Sequence, residues 1–217
     1  MIRGYRIVFA LLVIFAIGYQ LHHLYEIQER VRLGNFFSYF TIQSNIFASA
    51  VFLVAALTSY GERSPRRFDL IRGSAVLYMV TTGIVYELIL LGHRDEVNVS
   101  VIWVDDVLHR VFPLVVAADW LIAPPARRIT FRQGLIWLSY PAFYAAYTLI
   151  RGSLVDWYPY PFLDPHRDSG YAGVTLYAIG IATGMIGFIC MATWLTRVRV
   201  KESALPTIEQ RSTKREM

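Results

Sequence analysis

The chain is poor in cysteine, lysine and charge. One cysteine, Cys190, occurs in 217 residues, which excludes an intrachain disulfide and a cysteine-based zinc or iron–sulfur site. Of 21 basic residues only Lys201 and Lys214 are lysines, an arginine excess that points towards a GC-rich bacterial genome. Charged residues make up 17%, against about 25% in an ordinary soluble domain. Hydrophobic residues make up 55% and the mean hydropathy is +0.41. This balance argues against a soluble enzyme, a disordered protein and a nucleic-acid module. Several signatures are missing too. There is no G-x-S-G of an intramembrane serine protease and no H-E-x-x-H of a zinc protease. The paired deep histidines of a diheme cytochrome are also lacking, since only His109 falls well inside an apolar run.

What is present is a succession of apolar runs. A helix crossing a hydrocarbon core needs about 20 mostly apolar residues. Six runs qualify, at 5–21, 36–60, 70–92, 101–122, 131–151 and 171–195. The composition therefore predicts an all-α polytopic membrane protein with six transmembrane helices over residues 1–196. Residues 197–217 read as a polar cytoplasmic tail, disordered past Pro206. The first run resembles a signal peptide in having Arg3 and Arg6 ahead of it. It ends without a small-residue cleavage site and reads as a retained span. In a six-span topology fifteen basic residues fall on the side of the termini and five on the other, with Arg110 inside a run. The positive-inside rule then puts both termini in the cytoplasm. The net charge of +5 becomes a topology signal, and no nucleic-acid partner is expected.

Ionisable side chains inside a membrane are costly and mark function by default. The run VDDVLHRVFPLVVAADW holds Asp105, Asp106, His109, Arg110 and Asp119. Asp105 and Asp106 stand four and three residues before His109, and both spacings put a carboxylate on its face. Such a carboxylate fixes a histidine tautomer and supports the imidazolium. Pro113 donates no helical hydrogen bond, which leaves the His109 carbonyl open to a bend. The alternative reading is a salt-bridge and capping cluster, with Arg110 paired to Asp106 or Glu87. In FFSYFTIQSNIFASA, Ser38, Thr41, Ser44 and Asn45 share a face. They read either as helix packing or as a hydroxyl nucleophile with polar neighbours. A neutral threonine needs a base within reach, and His109 is the candidate. By helix rise, Thr41 lies roughly 8 Å and His109 roughly 12 Å below one surface. Glu87 and the tyrosines of the fifth run reach the same layer.

Three stretches, FTIQSN at Thr41, LHRVFP followed by DW at His109 to Trp120, and WYPYPFLD at 157–164, carry a resemblance. The chain resembles the androgen-induced and androgen-dependent TFPI-regulating protein family of integral membrane proteins, in its bacterial branch. The resemblance covers roughly residues 36–195. Animal members hydrolyse fatty acid esters of hydroxy fatty acids, with a threonine early in one span and a histidine shortly before a proline. The matching positions are Thr41 and His109. Where animal members carry a second histidine, this chain has Asp106. The resemblance implies a lipid-ester hydrolase in a bacterial plasma membrane, with a membrane lipid or fatty-acid ester as substrate and no cofactor or metal. In this reading Asp105 or Asp106 orients His109, and Asn45, Gln43 and Arg110, in that order, are the candidate oxyanion donors. Two readings compete: a proton-coupled carrier using Glu87, Asp105 and His109 as a relay, and an inactive lipid-binding membrane protein. The sequence leaves the oligomeric state open.

Overall fold

A computed structural model describes residues 2–28, 30–58, 64–92, 101–125, 127–167 and 169–203. Among these residues the fold is all α-helical. In chain order the helices are α1 (Ile2–Ile27), α2 (Leu33–Phe36), α3 (Phe40–Leu57), α4 (Arg66–Val85), α5 (Ile102–Asp106), α6 (Phe112–Ile122), α7 (Phe131–Gly134), α8 (Ser139–Val155) and α9 (Gly170–Ser203). A π-turn (Tyr86–Leu90) extends α4, and a second (Val107–Val111) joins α5 to α6.

The expected six transmembrane helices are not what forms. Four helices among the described residues are long and apolar enough to cross a membrane: Ile2–Ile27, Phe40–Leu57, Arg66–Leu90 and Gly170–Val198. The runs at 101–122 and 131–151 are apolar but broken. In the first, the π-turn interrupts the ladder ahead of Pro113, and the longest α-helical piece has 11 residues. In the second, a tight 3-10 turn at Leu135–Leu138 precedes a helix of 17 residues. Pro141 has no N–H to offer the Trp137 carbonyl, and the Tyr78 hydroxyl donates to that carbonyl instead, at 3.0 Å. The count of basic residues that puts both termini in the cytoplasm rests on six crossings, and four crossings likewise leave the two termini on one side. At the C-terminal end α9 continues to Ser203. The tail beyond it, expected to be disordered, lies outside the described residues.

The chain is an integral membrane protein, and the distribution of its side chains follows from that. α1 packs along α3, α3 along α4 and α4 along α6. Ala10, Val13, Ala16 and Ile17 of α1 are buried there. Its other side leaves Val8, Leu11 and Phe15 exposed, as α9 does Leu176 and Ile179. Exposed side chains of this kind are unfavourable in water and suit a lipid environment.

Charge is buried at the end of the bundle where α1 and α4 begin. Asp119 of α6 accepts from Arg6 at 2.6 and 3.1 Å and from Arg72 at 2.9 Å. The Tyr5 hydroxyl donates to it as well. Arg72 also reaches the Ala123 carbonyl, at 2.6 Å. One carboxylate thus ties α1, α4 and α6 together. Carboxylate and guanidinium groups buried this deeply persist only when paired.

Candidate functional site

At the opposite end, α3 starts where α4 finishes. Thr41 is the second residue of α3, because Leu33–Phe36 folds as a separate short helix and Tyr39 is extended. Thr41 is therefore in the first turn, shallower than the expected five residues into a span. Its hydroxyl oxygen Oγ1 lies 3.1 Å from His109 Nε2. His109 Nδ1 lies 2.8 Å from Asp105 Oδ1. The Asp105 backbone carbonyl, 3.1 Å from the same nitrogen, can only accept a hydrogen bond, so Nδ1 carries the proton and Nε2 is left as the acceptor for the Thr41 hydroxyl. Asp105 is 3% exposed, and the Tyr86 hydroxyl donates to its second oxygen, Oδ2. The Tyr86 ring stacks on the imidazole, with centroids 4.2 Å apart.

The backbone explains how His109 comes to this position. It sits in the second π-turn, where the Phe112 N–H reaches back five residues to the Val107 carbonyl. Such π-turns frequently occur at functional sites. Pro113 leaves the His109 carbonyl without its usual donor. That carbonyl packs against Gly83 of α4, where an added Cβ would stand 3.1 Å from it. The missing side chain lets α4 come close enough to bring Tyr86 onto the imidazole.

Tyr160, from the loop between α8 and α9, reaches Thr41 from the other side. Its hydroxyl accepts from the Thr41 N–H at 3.1 Å and lies 3.2 Å from Thr41 Oγ1. Burial raises the pKa of the Tyr160 phenol above its ordinary value, so the group stays protonated and able to donate. The neighbouring Phe40 N–H is taken by the Tyr144 hydroxyl at 3.1 Å. Two tyrosine hydroxyls thus serve N–H groups that open a helix and have no partner within it.

The remaining sequence candidates divide. Asn45 is fully buried, and its amide donates to the Thr41 carbonyl at 2.9 Å and the Leu108 carbonyl at 3.1 Å. Both amide hydrogens are used, which ties α3 to the second π-turn and leaves none for an oxyanion. Gln43 donates to the Phe37 carbonyl at 2.7 Å and accepts from the Tyr140 hydroxyl at 2.5 Å. Arg110 pairs with Glu87 and Asp106 on a half-exposed face. Of the two aspartates, Asp105 is therefore the one on His109. Among the described residues no group of three or more His, Cys, Asp and Glu side chains is arranged to hold a metal ion. Sequence reasoning passed over Tyr86, the neighbour of Glu87. Tyr160 falls within the WYPYPFLD stretch, where no local pattern marks it.

Two cavities meet at Thr41. One of about 420 Å³ is lined by Thr41, Tyr86, Asp105, His109 and Tyr160, with the exposed Gln28, Arg30 and Arg32 also in its lining. The other, about 380 Å³, is largely apolar and is lined by residues of α3, α4, α8 and α9, again with Thr41 and Tyr160. No protein-family model matches the chain, and neither a curated protein nor a solved structure matches it significantly.

Proposed function

We propose that this membrane protein is a lipid-ester hydrolase with Thr41 as nucleophile and His109 as general base. The observation that carries this reading is the continuous chain Thr41 Oγ1–His109 Nε2, 3.1 Å, and His109 Nδ1–Asp105 Oδ1, 2.8 Å. A nucleophile, a base and a group orienting the base within hydrogen-bond reach are what activates a neutral hydroxyl. The stretches at Thr41 and His109 that resemble the androgen-induced and androgen-dependent TFPI-regulating protein family favour the same residues. The arginine-rich composition suits a bacterial plasma membrane.

The chemistry runs as an acyl transfer. Thr41 Oγ1 attacks the ester carbonyl carbon as its proton passes to His109 Nε2. The tetrahedral oxyanion takes the hydrogen bond of the Tyr160 hydroxyl, whose oxygen lies 3.2 Å from Thr41 Oγ1. Donors fixed in advance at developing charge are a large source of rate enhancement. The bond to the alcohol oxygen then breaks, His109 returns the proton to that oxygen, and Thr41 is left as an ester. Water attacks this acyl-threonine with His109 again taking a proton. The hydroxyl re-forms and the fatty acid leaves. Asp105 holds the imidazole in the required tautomer and offsets the charge of the imidazolium, while the Tyr86 hydroxyl holds Asp105.

The carrier alternative needs Glu87 in line with Asp105 and His109. Glu87 pairs instead with Arg110, 2.5 Å away. Assay of the purified chain with long-chain fatty acyl esters tests the hydrolase reading. Release of fatty acid that is lost in both Thr41→Ala and His109→Ala supports it. A rate unchanged in either variant contradicts it.

A further inference from the structure

The two cavities that meet at Thr41 differ in which catalytic groups they contain. Thr41, Tyr160 and Leu90 line both. His109, Asp105 and Tyr86 line only the first. Ala145, Ile181, Ala182 and Met185 line only the second. The geometry points to a substrate that straddles Thr41, its acyl chain in the apolar chamber bounded by α8 and α9 and its alcohol part in the chamber beside His109. This inference rests on the hydrolase reading.

The direction follows from the proton. His109 serves two oxygens in turn, Thr41 Oγ1 and the departing alcohol oxygen. The alcohol oxygen must therefore lie on the side of Thr41 that His109 lines. The acyl carbon stays bonded to Thr41 until water arrives, and its chain takes the side His109 does not line. In the reverse orientation the leaving oxygen would sit in the chamber that His109 does not line, away from the group that holds the proton.

The linings agree with this division. Apart from threonines and tyrosines, the second chamber is walled by side chains such as Phe40, Val85, Leu138, Ala145, Ile181 and Met185. A methylene chain loses nothing by leaving lipid for such a wall, and a polar alcohol would lose its hydration. The chamber is also reached from the side. α9 packs mainly on α4 and α7, and Ala142, Ala178 and Ala182 of the lining are exposed. An acyl chain thus enters sideways between α8 and α9. The first chamber also has apolar walls, among them Leu24, Phe36, Val104 and Leu108. It nevertheless holds His109 and Asp105 and has Arg30, Arg32 and Gln28 exposed in its lining, which gives a polar alcohol part partners and admits the water for deacylation. The substrate class is an ester of a long-chain fatty acid with a polar hydroxy compound.

Filling the second chamber tests this. The full chain and its Ala145→Phe and Ala182→Phe variants are assayed with acetyl and palmitoyl esters of one alcohol. Rates are normalised to sites titrated by a small fluorophosphonate, so that misfolded molecules do not count. The ratio of palmitoyl to acetyl kcat/KM is expected to fall at least about tenfold in each variant, the scale on which a blocked apolar pocket discriminates. An unchanged ratio in active variants overturns the orientation and leaves the hydrolase reading standing. A parent chain that binds the probe nowhere and hydrolyses neither ester overturns both. If either phenylalanine variant titrates no sites, Ala145→Val and Ala182→Leu replace it, with a smaller fall in the same ratio expected and an unchanged ratio again contradictory.

Discussion

The phenol of Tyr86 lies nearly flat on the imidazole of His109, with planes 17° apart. Its hydroxyl donates to Asp105, the carboxylate that also holds His109 Nδ1. Tyr86 thus fixes both the plane of the ring and the group that orients it. Tyr86→Phe keeps the stacking and removes the hydrogen bond. Esterase activity is expected to fall by about tenfold, the cost of one hydrogen bond of roughly 1.5 kcal/mol to a charged group. Tyr86→Ala removes both contacts, and the loss is expected to be larger. Equal rates for the two variants would leave the stacking without a part in catalysis.

Asp105→Asn and Asp106→Asn separate two residues that the sequence leaves equivalent. Asp105→Asn is expected to lower kcat by roughly 10²–10⁴, the range over which a positioned acid–base group contributes. Asp106→Asn is expected to keep the parental kcat, because Asp106 pairs with Arg110 on the half-exposed face. An equal loss of kcat in the two variants would contradict the assignment of Asp105 as the residue that orients His109.

Tyr160→Phe is expected to reduce kcat by roughly 10²–10³ with little change in KM, the effect of deleting one oxyanion donor. Its loop is held partly by Gly152, where a Cβ would come within 2.1 Å of the Tyr158 ring. Gly152→Ala is therefore expected to lower activity by displacing the same loop. A parental kcat in Tyr160→Phe would assign the oxyanion to another donor.

Much of this was readable from composition and spacing, and the unread part has physical causes. The apolar runs of α1, α3, α4 and α9 contain long windows with few charges, and these fold as long helices. The runs at 101–122 and 131–151 are apolar too, but the first carries Asp105, Asp106, Arg110 and Asp119 and each contains a proline, Pro113 or Pro141. Hydropathy does not sense hydrogen-bond register. Pro113 signalled a break, but a π-turn over Val107–Val111 also depends on Gly83 from another helix. Thr41 and His109 could be matched because His109 is the histidine well inside an apolar run and both lie in the stretches that carry the family resemblance. Spacing alone does not rank Thr41 above Ser38 and Ser44 on the same face. Asp105 and Asp106 could not be told apart, because both spacings reach the face of His109 and burial against Tyr86 decides. Tyr160 lies 119 residues from Thr41, beyond any local pattern.

The far end of the bundle offers a stability test independent of chemistry. Asp119→Ala leaves Arg6 buried without its carboxylate and Arg72 with only Asp69, 3.9 Å away. The cost is expected to be about 3–5 kcal/mol, as for other broken buried ion pairs, and to appear as a lower Tm in detergent. The activity of the molecules that remain folded is expected to persist. An unchanged Tm would remove the network from the list of what holds α1, α4 and α6 together.

The nucleophile itself can be identified directly. The folded chain is incubated with a lipophilic fluorophosphonate, digested, and the modified residue located by mass spectrometry. The expected adduct is on Thr41, absent in Thr41→Ala and formed far more slowly in His109→Ala. An adduct on any other residue, or none in a folded and monodisperse preparation, would contradict the assignment of Thr41 and His109 as a nucleophile–base pair.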